Sequence, residues 1–330
     1  HCCTGYDKLV EFVTRLLNVS GEDVEDSIIT MKAKEDIVLE DREDGEWVYL
    51  YQYYKAEENV ATRLIELDTY TNMKKIDRFN KELKLFEEKS NLELSDKQIE
   101  AIKAINENNV CVITGGPGTG KTTIIKTIID IFKHNEMKPV LCAPTGRAAK
   151  KMTETTGEEA KTLHRLLEIG KFSDEENGIK ADISVAPIDA DIVIVDEMSM
   201  VDLFLMNYLC NALYKGTKLV LVGDIDQLPS VGPGNVLKDI IRSEKITTIT
   251  LNKIFRQAAK SKIIVNSHRV NEGLGFIAKD EVEEMNSDFF FVNEVNKEKI
   301  LYNIITLSGE RLKNYGDYDF FKNIQVITPT

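Results

Sequence analysis

The sequence reads as an α/β protein built on a parallel sheet with helices on both faces. Three observations predict this. Short apolar runs, "VCVIT", "PVLCA", "DIVIVD", "KLVLVGD" and "ITTITL", recur from about Leu92 onward. Amphipathic segments of helical spacing separate them, and that alternation implies a parallel sheet buried on both sides. The first run leads directly into "GGPGTGKTT", a glycine-rich turn that opens a helix.

Before this pattern, residues 1–90 read as a mainly helical, winged-helix-like region. "YDKLVEFVTRLLNV" carries apolar residues at helical spacing. "GEDVEDSIITMKAKEDIVLEDREDGEWVYLYQYY" reads as a helix and then two short strands joined at Asp44-Gly45, a hairpin signal. "KAEENVATRLIEL" resumes a helix, and a charged segment leads to the sheet-forming region at 91–250. After it comes a second, incomplete set over 251–330. Its parts are helix "AAKSKIIVNSHRVN", strand "DFFFV", helix "KEKILYNIITL" and strand "IQVIT". The chain starts at His1 and stops within "IQVITPT", so it is expected to be a piece of a longer protein.

Composition narrows the class. With 42% hydrophobic and 29% charged residues, the chain matches an ordinary globular protein. No apolar run reaches the roughly 20 residues of a membrane span, and no signal peptide opens the chain. None of the five cysteines belongs to a C-x-x-C pair, so zinc is not expected. Cys111 and Cys142 fall in apolar strand runs and read as small buried thiols, which suits a reducing cytoplasm. The net charge of −13 argues against bulk attraction to nucleic acid. However, residues 1–90 hold 13 Lys and Arg against 21 Asp and Glu, so −8 of that charge is N-terminal. "PTGRAAKKM" is locally basic. Any nucleic-acid site is therefore a local one.

Gly115 to Thr122 match G-x-x-x-x-G-K-[ST] between a strand and a helix. Glycines let consecutive N–H groups turn inward around phosphate oxygens, and the helix N-terminus faces the same anion. Lys121 is placed for the β- and γ-phosphates, and the Thr122 hydroxyl for Mg²⁺. "DIVIVDEMSM" supplies the carboxylates such a site needs. Asp196 ends an apolar strand as a metal ligand, and Glu197 is placed to orient or deprotonate water. One strand later, "LVGDIDQLPSVGPGNVL" puts Gln227 beside the phosphate loop as a γ-phosphate sensor. Taken alone, that stretch reads equally well as a polar turn stopped by Pro229 and Pro233.

The ordered set "GGPGTGKTT", "APTGRAAKKM", "TLHRLL", "DIVIVDEMSMVD", "LVGDIDQLPSVGPGNVL" and "LNKIFRQA" resembles the RecD-like (RecD/TraA) branch of superfamily 1 DNA helicases. The resemblance covers most of residues 92–330. It implies a RecA-like ATPase domain over 91–250 and the start of a second such domain over 251–330. It also implies ATP and Mg²⁺ as ligands, 5′-to-3′ movement on single-stranded DNA and at duplex junctions, and work in DNA repair and recombination. By position, Gly116, Pro117, Gly118, Thr119, Gly120, Lys121, Thr122 and Thr123 match the nucleotide cradle. Gln98 matches the adenine-reading glutamine, although Ser95 and Gln98 also form a capping-box pattern. Arg256 matches the arginine that reaches the γ-phosphate from the second domain; its alternative is a surface arginine at a helix start. Thr145, Arg147, Thr162 and His164 match the single-strand path, with a half-buried helical histidine as the alternative for His164. Residues 168–187, around Asn177-Gly178, read as a hairpin, either a strand-separating wedge or an idle loop. The family's later motifs lie outside this chain. The acidic N-terminal region could dock a protein partner that nothing in it names. The competing reading is a phosphate-loop ATPase of another class, a loader or switch without strand movement. A non-catalytic relic is opposed by the intact Lys121, Thr122, Asp196, Glu197 and Gln227.

Overall fold

The computed structural model describes residues 2–169, 185–253, 260–277, 288–316 and 318–328. The chain divides into two compact units, 1–258 and 259–330. The first unit opens with a small antiparallel sheet. Its strands β1 (Cys3–Gly5), β2 (Ile37–Arg42) and β3 (Gly45–Leu50) lie in the order β1-β3-β2. Helices α1 (Tyr6–Leu17) and α2 (Gly21–Ala33) fill the interval between β1 and β2. The expected hairpin is present: Arg42 pairs with Gly45 across the turn, and Gly45 holds φ 121°, a region glycine enters freely. Strand β1 was not foreseen, because three residues are too short for a periodic signal. Ser20 and Asp23 form a complete capping box at the start of α2.

Helix α3 (Tyr51–Asp68) follows β3 without a linker, and α4 (Phe79–Ser90) and α5 (Asp96–Glu107) lead into the central sheet. That sheet comprises β4 (Val110–Gly115), β5 (Pro139–Ala143), β6 (Ala160–Thr162), β7 (Ile192–Val195), β8 (Lys218–Gly223) and β9 (Thr247–Leu251). Their order is β6-β5-β7-β8-β4-β9, and all neighbours are parallel. The crossovers are made by α6 (Lys121–His134), α7 (Gly146–Thr156), the single turn α8 (Leu163–Leu166), α9 (Leu203–Ala212) and α10 (Val236–Ser243).

Alternation along each strand separates two cores, as a pleat with period two requires. Val110, Val112, Val193, Val195, Leu219 and Leu221 face one core. Cys111, Ile113, Ile192, Ile194, Val220 and Val222 face the other. The first face is covered by α9, α10 and α3, whose Ala56, Val60, Leu64 and Leu67 recur at helical spacing. The second is covered by α5, α6 and the Phe79 and Leu83 side of α4. Helices α3 and α4, read from sequence with the N-terminal region, thus pack into the cores of the sheet. Cys111 and Cys142 are buried thiols in β4 and β5, as expected. Among the described residues no helix is long and apolar enough to cross a membrane.

In the second unit, α11 (Lys262–Asn271) and α12 (Lys297–Thr306) occupy the expected helical segments. The expected strands "DFFFV" and "IQVIT" do not form: residues 288–292 and 324–328 hold no regular secondary structure. A strand needs a neighbour in a sheet, and neither sheet of the described residues includes these segments. Phe289 and Phe291 instead pack against Phe276, with ring centroids 5.8 and 4.7 Å apart. The expected hairpin over 168–187 lies mainly outside the described residues, as does Arg256.

Two contacts fix the base of the sheet and the loop after β8. Lys218, 1% exposed, donates to the carbonyls of Ile105 (3.2 Å), Asn106 (3.1 Å) and Asn108 (2.8 Å) at the C-terminus of α5. Asp202 caps α9 by accepting from the Leu205 N–H at 2.8 Å, and a Cβ added at Gly232 would stand 2.1 Å from its Oδ2. Lys218→Met removes the donor from buried acceptors and is expected to cost roughly 1–3 kcal/mol, read as a lowered urea midpoint. Gly232→Ala must displace the Asp202 cap and is expected to cost about 1 kcal/mol or more. An unchanged melting temperature would refute that contact.

Candidate nucleotide and strand-binding site

The strand order positions the site. β7, β8 and β4 are consecutive neighbours, so the loops leaving their C-terminal ends converge. In open α/β sheets this carboxyl edge is where ligands bind. The loop after β4 carries residues 116–120 and ends at the N-terminus of α6, where Lys121, Thr122 and Thr123 begin the helix. Asp196 and Glu197 follow β7, and Gln227 follows β8. The expected nucleotide, metal and sensor residues therefore share one edge.

The loop has the geometry of a phosphate cradle. Gly118 and Gly120 hold φ 75° and 87°, where a side chain is strained. At Gly115 a Cβ would stand 2.7 Å from the Leu251 carbonyl and 2.8 Å from Thr119 Oγ1. Thr119 is buried and donates to the Gly116 carbonyl at 2.8 Å, which closes the turn. The Lys121 ammonium donates to the Gly115 carbonyl and, at 3.0 Å, to the Gly116 carbonyl. Burial pushes its pKa down, and the charges of Asp224, Asp196 and Glu197 oppose that shift. Gln98 is 1% exposed and performs two tasks. Its Oε1 accepts from the Ser95 N–H at 3.0 Å in a capping box, and its Nε2 donates to the Gly120 carbonyl at 3.3 Å. The capping-box reading of Gln98 holds, and its amide reaches the rim of the loop.

The acidic pair sits opposite. Burial raises the carboxyl pKa of Asp196. Burial and the neighbouring Asp196 charge raise that of Glu197. Glu197 lies in the left-handed region at φ 54° and caps a short 3₁₀ turn, Met198–Met200. Strain of this kind costs of order 1 kcal/mol and persists only where the surroundings enforce it. Thr122 and Asp196 offer oxygen donors of the kind Mg²⁺ takes. Among the described residues no group of three or more His, Cys, Asp or Glu could cage a metal unaided.

Three further residues belong to this edge and were missed from sequence. Asp224, 3% exposed, acts electrostatically on Lys121 and accepts from the Asp226 N–H at 3.1 Å. Thr114 Oγ1 accepts from the Ile225 N–H at 3.2 Å and ties β4 to the loop after β8. Lys151 of α7 lies near enough to lower the carboxyl pKa values of both Asp196 and Glu197. The Gly-Asp strand ending and the paired lysines of "AAKKM" were the available signals; Thr114 gave none. Gln227 is exposed, and its N–H donates to the Asp224 carbonyl at 3.3 Å.

The strand-path residues occupy the next two strand ends. Thr145 caps α7 by accepting from the Ala148 N–H at 3.2 Å, and Arg147 is exposed in the first turn. Thr162 caps α8 by accepting from the Arg165 N–H at 3.2 Å, and His164 is exposed rather than half-buried. Ala143 pairs with Thr162 in register, so the two turns are neighbours. Each threonine oxygen serves as a cap and can still donate its hydroxyl proton.

Comparison with known proteins adds a family to this geometry. A family model described as an AAA domain matches residues 98–233. The chain is 39% identical over 180 residues to the ATP-dependent RecD2 DNA helicase of Deinococcus radiodurans, covering 54% of this chain and 24% of that protein. It is 31% identical over 303 residues to the RecBCD enzyme subunit RecD of Buchnera aphidicola, covering 84% of this chain and 49% of that protein. Among solved structures, a Pif1 helicase studied in forked-duplex unwinding aligns with a TM-score of 0.39 at 20% identity, over 55% of this chain and 48% of that one. The chain thus spans less than half the length of these two curated relatives. By its ordered motifs and these sequence relatives, the chain is similar to the RecD-like helicase proteins.

Proposed function

We propose that the chain is the leading motor segment of an ATP-dependent DNA helicase. The observation that carries this reading is the convergence of three loops, bearing Lys121, Asp196 with Glu197, and Gln227, on adjacent strand ends. The Arg147 turn stands on the next strand along. In this reading residues 1–90 form the N-terminal region, 91–250 the first RecA-like domain, and 251–330 the beginning of the second.

ATP is held with its phosphates against residues 116–123 and its adenine toward Gln98. Lys121 neutralises β- and γ-phosphate charge, and Gln227 contacts the γ-phosphate. Glu197 takes the proton of the attacking water, a role that its raised pKa suits. Thr122 and Asp196 would hold Mg²⁺, which when bound offsets the charge on the phosphates. Arg256 is assigned to the γ-phosphate from the second domain, where such a residue contributes roughly 10³–10⁵ in rate. Thr145, Arg147, Thr162 and His164 contact the phosphates of single-stranded DNA, also at duplex junctions. Movement is assigned 5′-to-3′, supported by likeness to RecD proteins alone. Two relatives' names support this scheme, one an ATP-dependent DNA helicase and one a subunit of a larger enzyme. The second name also supports a protein partner at the acidic N-terminal region. A cytoplasmic setting is supported by the five free cysteines.

The decisive experiment follows anisotropy of labelled oligo-dT with and without a non-hydrolysable ATP analogue. Affinity is expected to change with nucleotide and fall with salt. Arg147→Ala is expected to weaken DNA binding severalfold while nucleotide affinity stays constant. If Arg147→Ala leaves DNA binding intact, the loader or switch reading gains. Glu197→Gln is expected to lower kcat by about 10²–10⁴ while nucleotide binding persists. In the parent chain, the acid limb of kcat/KM should lie above the ordinary glutamate pKa of about 4.3, since the base works only when deprotonated. An acid limb at or below that value would remove Glu197 from the role.

A further inference from the structure

We propose a second grip for single-stranded DNA, in the cleft between the N-terminal wing and α10, away from the β5 and β6 strand ends. The identity of the ligand rests on the motor reading above; the existence of the site rests on the cleft itself. All its walls lie within the first compact unit.

The cleft has a volume of about 880 Å³. One wall is α10 and the turn after it. Lys238 and Arg242 line it one turn apart on α10, and Lys245 lines it from the turn after the helix. This basic stripe stands out in a chain of net charge −13. The carboxylates in the lining are Glu57 and Asp239. Burial raises the pKa of Asp239, and the Arg242 and Lys238 charges oppose that shift.

The wing forms the other wall with a flat, stacked surface. The Arg42 guanidinium lies 5.1 Å from the Trp47 ring centroid and 5.4 Å from that of Tyr49. Glu40 pairs with Arg42 at 2.7 Å, and Arg42 also donates to the Tyr49 hydroxyl. Arg42 is therefore largely neutralised and fixed in orientation, and it serves as a stacking plane more than a free charge. A basic stripe facing an aromatic and guanidinium stack is the combination that holds single strands without sequence preference. Phosphates would track Lys238, Arg242 and Lys245, and bases would lie against Arg42 and Trp47.

The floor gives the site a consequence. Pro229, Ser230 and Gly232 line the cleft and continue the loop that carries Gln227. A strand lying there touches the segment next to the γ-phosphate sensor.

Trp47 is the one tryptophan of the chain, so its emission reports on this cleft directly. The experiment titrates oligo-dT into the parent chain, into Arg147→Ala and into Lys238→Ala/Arg242→Ala/Lys245→Ala. It follows Trp47 fluorescence and the anisotropy of labelled DNA together. Quenching is expected in the parent and in Arg147→Ala. In the triple variant quenching should be lost, affinity should fall roughly tenfold at low salt, and the salt slope should shrink by about 2. Lys238→Glu alone should weaken binding in the same direction, which guards against a folding defect in the triple variant. DNA binding by anisotropy with unmoved Trp47 emission overturns the proposal and leaves the motor reading standing. Quenching by poly-glutamate but not by oligo-dT overturns it in favour of an acidic protein segment. No DNA binding by any version overturns both readings.

Discussion

The neighbour relation of β7, β8 and β4 is the constraint on which the rest depends. Parallel hydrogen bonding forces all three C-termini to one edge, so that residues some 110 positions apart meet there. Nothing local to Lys121 or Glu197 brings them together. The two cores hold the strands in that order, with alternate side chains committed to opposite faces. A slip of one residue would exchange the two sets and destroy both cores. The site's geometry is thereby secured by burial far from the site.

Within that frame, charge is handled by partial burial. Lys121, Asp196 and Glu197 are each pushed toward neutrality by desolvation; the two carboxylates pull Lys121 back, and Lys121 and Lys151 pull the carboxylates back. Such mutual dependence favours a site that responds strongly to an arriving polyanion. Functional sites are where opposed pKa shifts of this kind concentrate. The Asp224 charge acts on Lys121 and Glu197 as well.

The legible parts of the sequence were those with strong local signals. The glycine-rich turn, the five apolar strands and the capping box at Gln98 could be read because each is written in consecutive residues. The strand-to-helix turn that carries Thr145 and Arg147 was legible in the same way. What stayed hidden was either very short or non-local. β1 and β6 are three residues each. The Thr114 tether joins positions 111 apart. The packing of α3 against α9 depends on a face that looks like any amphipathic helix. "DFFFV" and "IQVIT" misled for the converse reason: strand-like composition says nothing about whether a partner strand stands beside it.

The direct passage from β3 into α3 has a consequence for how this architecture can change. Leu50 ends the wing and Tyr51 begins the helix that lies on the central sheet. Asn59 of that helix donates to Asn207 and Asn211 of α9, and the Pro233 carbonyl accepts from Leu203 at the start of α9. The wing is therefore not a detachable module. Recombination that exchanged it for another domain would have to preserve the pitch of α3 to within a fraction of a turn. New partners for the wing should accordingly arise by substitution on its surface rather than by domain shuffling.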